Sequence, residues 1–277
     1  MQKNFINAFY ETRFLEDFDN LNYEQILLNE QNKIDVLSQE KAYQKIISDI
    51  KKMQHQNIAK AVMHSTFLKA LIKAVCDTGF KATICLGLSA KDAIFTYEQL
   101  ENFYLKVKSL SENITYALYL KDVFCEECEM EQILNLSQKY NLEIFVEVAK
   151  TLDEVGKCAK LNNDKSPIEL LNENGLLINK TTLIHCNYLE PEDELLIAQN
   201  GAKVVATPIF SAECGLGLTN IVSLIKNGVK VFVGTGASQE FNLKKQAEFL
   251  CLMQKLNLKE ANCITNDEQQ GLIKIDK

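Results

Sequence analysis

The chain has 277 residues, 47% of them hydrophobic and 24% charged, proportions that exclude a disordered or fibrous protein and suit one well-cored unit of barrel size. A net charge of −7 and a pI near 5.2 give no electrostatic ground for binding nucleic acid or an anionic membrane. No apolar run approaches the roughly 18 residues that a membrane helix needs, and no leader or lipidation signal is recognisable, so a cytoplasmic protein with no nucleic-acid or membrane partner is expected.

In chain order, the first strand is predicted at Phe5–Phe9 (FINAF). The polar stretch Thr12–Glu40 follows, long enough to form a lid over a barrel mouth or a solvated loop with a helix or two. A strand at Ile58–His64, a helix over Phe67–Cys76 stopped at Gly79, a strand at Phe80–Leu86 and a helix over Ala90–Val107 come next. The fourth strand, Ile114–Leu120, leads into VFCEECEM, where Cys125 and Cys128 form a C-x-x-C. With no second pair to complete a site, a helix start with two incidental thiols is a simpler reading than a metal or redox pair.

The fifth strand, Leu142–Val148, precedes capping-box patterns at Thr151-Leu-Asp-Glu154 and Ser166-Pro-Ile-Glu169, the second inside an irregular excursion, Lys160–Lys180. The sixth strand, Thr182–Cys186, is followed by a helix over Pro191–Gln199 that opens with proline and three acidic residues and stops at Gly201. A strand at Lys203–Pro208, a helix over Asn220–Lys226 stopped at Gly228, and a strand at Val229–Gly234 complete the series. Eight strands alternating with helices predict a single domain over residues 1–277, an α/β fold of the (β/α)8 TIM barrel type, with function at the C-terminal strand ends. Nine cysteines, several on apolar faces as Cys85 and Cys186 are, point to reduced, buried thiols.

Five segments at those strand ends carry the chemistry: Asn7-Ala-Phe9-Tyr-Glu11, Glu147-Val-Ala-Lys150-Thr151, Ile184-His185-Cys186, Pro208-Ile-Phe210-Ser211 and Gly234-Thr235-Gly236-Ala237. Through them the chain resembles the metal-dependent amidohydrolase superfamily, in the branch of guanine, cytosine and adenosine-type deaminases, aminofutalosine deaminase and triazine chlorohydrolases. The resemblance covers most of the chain and is strongest from Leu142 to Leu250. It implies a barrel carrying a β-sandwich built from both termini. It also implies a metal held by His-x-His after strand one, single histidines after strands five and six, and an aspartate after strand eight. Such ligands hold Zn²⁺ or Fe²⁺ with one open position, where bound water ionises near neutral pH.

Against that pattern, Phe9 and Glu11 stand at the first two ligand positions, Glu147 at the third, Lys150 at the proton-shuttling glutamate and Gly236 at the aspartate. His185 alone keeps the family's ligand. The framework residues Gly201, Pro208, Gly217, Gly228 and Gly234-Thr235 remain. Only four residues precede the first strand and the sequence ends GLIKIDK, so the sandwich is expected to be largely absent, its place taken by a homo-oligomer or a protein partner.

The pocket is expected to be lined by Phe9, Glu11, His64, Glu147, Lys150, His185, Phe210, Thr235 and Gly236, with Glu147, Lys150 and His185 the catalytic candidates. The main expectation is a barrel that has lost metal-dependent hydrolysis, binds no cofactor and serves to bind a small molecule, of unknown identity, or a protein. A Lys150 bridge to Glu147 or Glu11 then stands at the metal's place. The alternative is an active hydrolase or deaminase acting on a C–N bond of a heterocycle, with one divalent Zn, Fe or Mn held by Glu11, Glu147 and His185. A third reading makes Lys150 a desolvated nucleophile or base. His55, in a polar run, reads as a surface residue.

Overall fold

The computed structural model describes residues 4–15, 21–88, 94, 96–124 and 127–275, without the side chains of 127, 128 and 275. All eight predicted strands form: β1 (Phe5–Glu11), β2 (Ile58–His64), β3 (Lys81–Leu86), β4 (Ile114–Leu120), β5 (Glu143–Val148), β6 (Thr181–His185), β7 (Lys203–Ala206) and β8 (Lys230–Val233). A short β9 (Lys274–Ile275) has no counterpart among the predicted strands. The helices are α1 (Tyr23–Val36), α2 (Gln39–His55), α3 (Leu68–Thr78), α4 (Tyr97–Val107), α5 (Glu127–Tyr140), α6 (Leu152–Leu161), α7 (Pro167–Glu173), α8 (Pro191–Gln199), α9 (Pro208–Glu213), α10 (Ile221–Lys226), α11 (Leu243–Leu258) and α12 (Asn266–Gly271).

Strands β1 to β8 pair in parallel in sequence order, the arrangement that helical crossovers impose. The result is a nearly closed (β/α)8 TIM barrel. Its interior is filled by Ala8, Phe9, Val62, Cys85, Ala117, Tyr119, Phe145, Ile184 and Val205. The alternate residues of the same strands, such as Ile84, Val146 and Leu183, meet the helices in a larger outer core, which is why the strands read as continuous apolar runs.

β1 and β8 share no ladder. The seam is closed at the C-terminal end by a bridge between Tyr10 and Gly236, where the Glu11 N–H donates to the Gly236 carbonyl at 2.9 Å and the Gly236 N–H to the Phe9 carbonyl at 3.1 Å. Asn7 interlocks with Thr235, donating from Nδ2 to Oγ1 at 2.8 Å and accepting the Thr235 N–H at 3.1 Å. Gly234 makes the approach feasible: a Cβ there would lie 2.6 Å from the Phe9 carbonyl oxygen. At the opposite end, β9 runs antiparallel to Phe5–Ile6.

A register shift between Asn7 and Tyr10 marks a bulge in β1. The extra residue places both Ala8 and Phe9 in the barrel interior and sends Tyr10 outward, where its hydroxyl donates to Asp49 of α2 at 2.7 Å.

The Thr12–Glu40 stretch resolves, among its described residues, into α1 and the start of α2. Asn22 and Gln25 form a capping box at α1, and Ser38 caps α2. α1 lies over the barrel mouth: its Ile26 packs with Phe210, Cys214, Leu216 and Ala237, and its Glu30 accepts the Phe14 and Leu15 N–H groups at 2.7 and 2.6 Å. The Lys160–Lys180 excursion carries α7, whose Ser166–Glu169 capping box forms as its sequence suggests. At Thr151 the box is incomplete. Thr151 caps the Glu154 N–H, but the Glu154 carboxylate instead accepts from the Ala149 and Lys150 N–H groups. Among the described residues no helix is long and apolar enough to cross a membrane.

Candidate active site

The polar side chains of the mouth come from the last residues of β1, β2, β4, β5 and β6. Glu147, near the end of β5, is buried. Its Oε1 accepts the Tyr119 hydroxyl at 2.7 Å, and its Oε2 accepts the Lys150 ammonium at 2.6 Å. His185 Nε2 lies 3.6 Å from the same Oε2. Burial alone would raise the Glu147 carboxyl, but Lys150 and His185 overcome it and hold the group well below the ordinary carboxylate range. Lys150 responds in kind. Desolvation would lower it, yet the charge of Glu147, with Tyr23 and Glu154 adding, holds it above the ordinary lysine value. Lys150 is therefore a fixed ammonium, which removes the expectation of a desolvated lysine nucleophile.

His185 is held in a costly conformation. Its φ is +76° and that of Cys186 is +53°, the left-handed region that costs roughly 1–2 kcal/mol per non-glycine residue. The turn is secured by the Cys186 N–H donating to the Val148 carbonyl at 3.1 Å and by Thr219 Oγ1 donating to the His185 carbonyl at 2.6 Å. Nδ1 meets the Thr207 hydroxyl at 3.0 Å. Burial, with Lys150 adding, lowers the His185 pKa against the pull of Glu147.

Glu11, ending β1, differs from Glu147 in having no tight cation. Burial, with the charge of Glu147 adding, pushes its carboxyl up to about 8, against the weaker pull of Lys121 and Lys150. His64, ending β2, stacks on Tyr119 with centroids 3.9 Å apart. Its Nδ1 lies 3.3 Å from the Cys85 carbonyl. A carbonyl only accepts, so Nδ1 carries the proton and Nε2 is an acceptor. Burial lowers this imidazole to about 4.

A cavity of ≈ 400 Å³ opens beside this cluster, and Glu11, His64, Thr66, Tyr97, Tyr119 and Lys121 are among its walls. Glu147, Lys150 and His185 are not: they lie beneath α1, where the Tyr23 ring centroid is 6.0 Å from Lys150 Nζ. Phe9 is likewise away from the cavity, buried in the barrel interior against Tyr119 and Phe145. Phe210 packs under Ile26, Thr235 is bonded to Asn7, and Gly236 serves the seam. The expected lining set thus divides into Glu11 and His64 at the cavity and the remainder below or beside it. Sequence reasoning missed Tyr119 and Tyr23. The inward alternation of Ala117 and Tyr119 in ITYALYL was the available signal for the first; nothing local marks the second. Cys125 lies outside the described residues and Cys128 outside the described side chains. The described cysteines are all free, Cys85, Cys158, Cys186, Cys214 and Cys251 being buried.

A parallel (β/α)8 barrel with carboxyl, ammonium and imidazole groups at the C-terminal ends of its strands has them where barrel proteins build their active sites. The sequence profile of the Amidohydrolase family matches residues 10–272, and the chain belongs to that family. The 5-methylthioadenosine/S-adenosylhomocysteine deaminase of Caldicellulosiruptor saccharolyticus is 28% identical over 192 residues, 66% of this chain and 43% of that protein. The 5'-deoxyadenosine deaminase of Methanococcus vannielii is 26% identical over 207 residues, 68% of this chain and 47% of that protein. The chain thus spans less than half the length of these relatives. Among solved structures, an adenosine deaminase from Xanthomonas campestris with bound zinc superposes with a TM-score of 0.87 at 15% identity, covering 96% of this chain and 64% of that one. Guanine deaminase from C. acetobutylicum with bound guanine gives 0.83 at 18%, covering 97% and 70%.

These comparisons correct the expectation that no cofactor belongs here. Deaminases of the family use a divalent metal, and the Xanthomonas enzyme was solved with zinc. Nor do they lend support to a loss of hydrolysis, since the similar proteins are deaminases and hydrolases. The donor set of this chain nevertheless does not fit the family's metal. Phe9 offers no ligand atom, both Glu147 oxygens are taken by Tyr119 and Lys150, and among the described residues no three His, Cys, Asp or Glu side chains are grouped to hold an ion.

Proposed function

We propose that this chain is a remodelled aminohydrolase that hydrolyses an exocyclic C–N bond of an aminated heterocycle bound in the mouth cavity. What supports the reading most is Glu11, a half-buried residue whose carboxyl is pushed up to about 8 by desolvation and which lines the cavity of a barrel whose relatives are deaminases. A group whose pKa lies near working pH is suited to both give and take a proton. Protonated Glu11 donates to a ring nitrogen, and the resulting carboxylate takes a proton from the attacking water. Once the carbon–oxygen bond has formed, Glu11 passes that proton to the amine, the C–N bond breaks and ammonia leaves, and the hydroxyl proton of the adduct moves to Glu11 as the carbonyl forms, restoring the acid.

The remaining groups bind and orient. Tyr97 and Tyr119 put aromatic rings in the cavity wall, suited to a planar substrate, and His64 Nε2 accepts from an amine or hydroxyl of the substrate. Glu147, its two oxygens taken by Tyr119 and Lys150, anchors Tyr119 and is not a base. The test is ammonia release from a panel of aminated purine nucleosides. Glu11→Gln should lower turnover by about 10²- to 10⁴-fold, and an unchanged rate would refute the role of Glu11.

One observation favours a second reading, binding without turnover: Lys150, a fixed cation, stands at the position of the family's proton-shuttling glutamate. On that reading the same nucleosides raise Tm while no ammonia appears.

A further inference from the structure

The floor of the barrel, at the N-terminal ends of the strands and remote from the mouth, carries a second concentration of charge. Lys60 of β2, Lys203 of β7 and Lys274 of β9 line one cavity of ≈ 80 Å³ together with Glu143 of β5 and the hydroxyls Thr83 and Thr182. Glu143 is the cavity's only carboxylate among the described residues, and it is bonded to Lys203, 3.2 Å from Nζ to Oε1. Among the described residues the other two ammonium groups have no carboxylate partner, in a molecule whose total charge is −7. Lys274 Nζ stands 5.6 Å from the Phe232 ring centroid. Its pKa is pushed down by desolvation, and Lys203 and Lys60 add to that against Glu143, the response of a cation among cations. Above the lysines the cavity is closed by the apolar interior residues Val62, Phe145 and Val205, which leave no polar exit upward.

Like charges converging on a pocket in the floor of a barrel raise the local potential and the concentration of counter-ions. We propose that this floor cavity is a binding site for one tetrahedral oxyanion of the phosphate type, held by Lys60, Lys274 and Lys203 with hydroxyl donation from Thr83 or Thr182. The volume admits a single phosphate group and no nucleoside, so the occupant is orthophosphate or the terminal phosphate of a small phosphomonoester whose remainder projects from the floor. The site is separate from the mouth: no side chain lines both cavities.

The experiment is thermal unfolding and isothermal titration with orthophosphate and, separately, with glycerol phosphate, each against chloride at matched ionic strength. Orthophosphate should raise Tm saturably by about 2–4 °C or more. Each of Lys60→Gln and Lys274→Gln should weaken the affinity roughly tenfold or more. The double variant should lose the shift while its own Tm in chloride is not lowered, because it removes repulsion rather than a partner. A shift with glycerol phosphate equal to that with orthophosphate assigns the site to a phosphomonoester terminus; a shift with orthophosphate alone assigns it to the free ion. A rise no greater than that in chloride, or an equal rise in the double variant, overturns the proposal.

Discussion

Lys150 and Glu147 are 2.6 Å apart with side-chain exposures of 13% and 5%, a setting in which removing one partner is costlier than never having had the pair. Lys150→Met should destabilise the fold by about 3–5 kcal/mol, because a carboxylate shielded from water is left with only Tyr119 and His185. Lys150→Met combined with Glu147→Gln should recover most of the loss. Urea denaturation reads both, and an unchanged midpoint in the single variant would contradict the pairing. Glu11 gives a pH signature of opposite origin. Its folded pKa is raised above the unfolded value, so its contribution is fully present below the unfolded pKa and is lost as pH rises through about 8. Glu11→Gln should therefore gain stability relative to the parent chain between about pH 4.5 and 8; a difference independent of pH would show that Glu11 titrates normally. The identities of Glu11, Glu147, Lys150 and His185 at the strand ends were legible in the sequence, because strand position fixes them. Which of them reach the cavity was not legible, since that depends on Tyr23 and Ile26 arriving from α1.

At the level of elements, the eight strands and most helices followed from period, caps and glycine stops, as at α3, where Gly79 adopts φ +64°. β1 was longer than predicted because it was read as ending where its apolar residues give way to Tyr10 and Glu11, and the bulge that turns Phe9 inward leaves no trace in a short apolar run. β9 is only two residues long, below what a pattern can register. The seam between β1 and β8 depends on Gly234. Gly234→Ala places a methyl against the Phe9 backbone, which cannot retreat without breaking the Asn7–Thr235 interlock, and should cost at least about 1–3 kcal/mol. A denaturation midpoint equal to that of the parent chain would show that the seam is looser than the contacts imply.

For the whole molecule, the family's barrel is retained while its polar centre is rearranged into an ion-paired layer under α1 and a titratable carboxyl facing the cavity. Overall length and the βα alternation made the barrel legible. The distribution of charge between mouth and floor was not, because it arises from strands far apart in sequence. The claim that binds these observations together is that Glu11 turns the remodelled mouth into a C–N hydrolase. The direct measurement is ammonia release from aminated purine nucleosides by the parent chain and by Glu11→Gln across pH 6–9, with circular dichroism confirming that both are folded. Saturable release by the parent chain, falling as pH rises through about 8 and reduced at least about 10²-fold in the variant, is the predicted result. No release by the parent chain, or equal release by both, would contradict it.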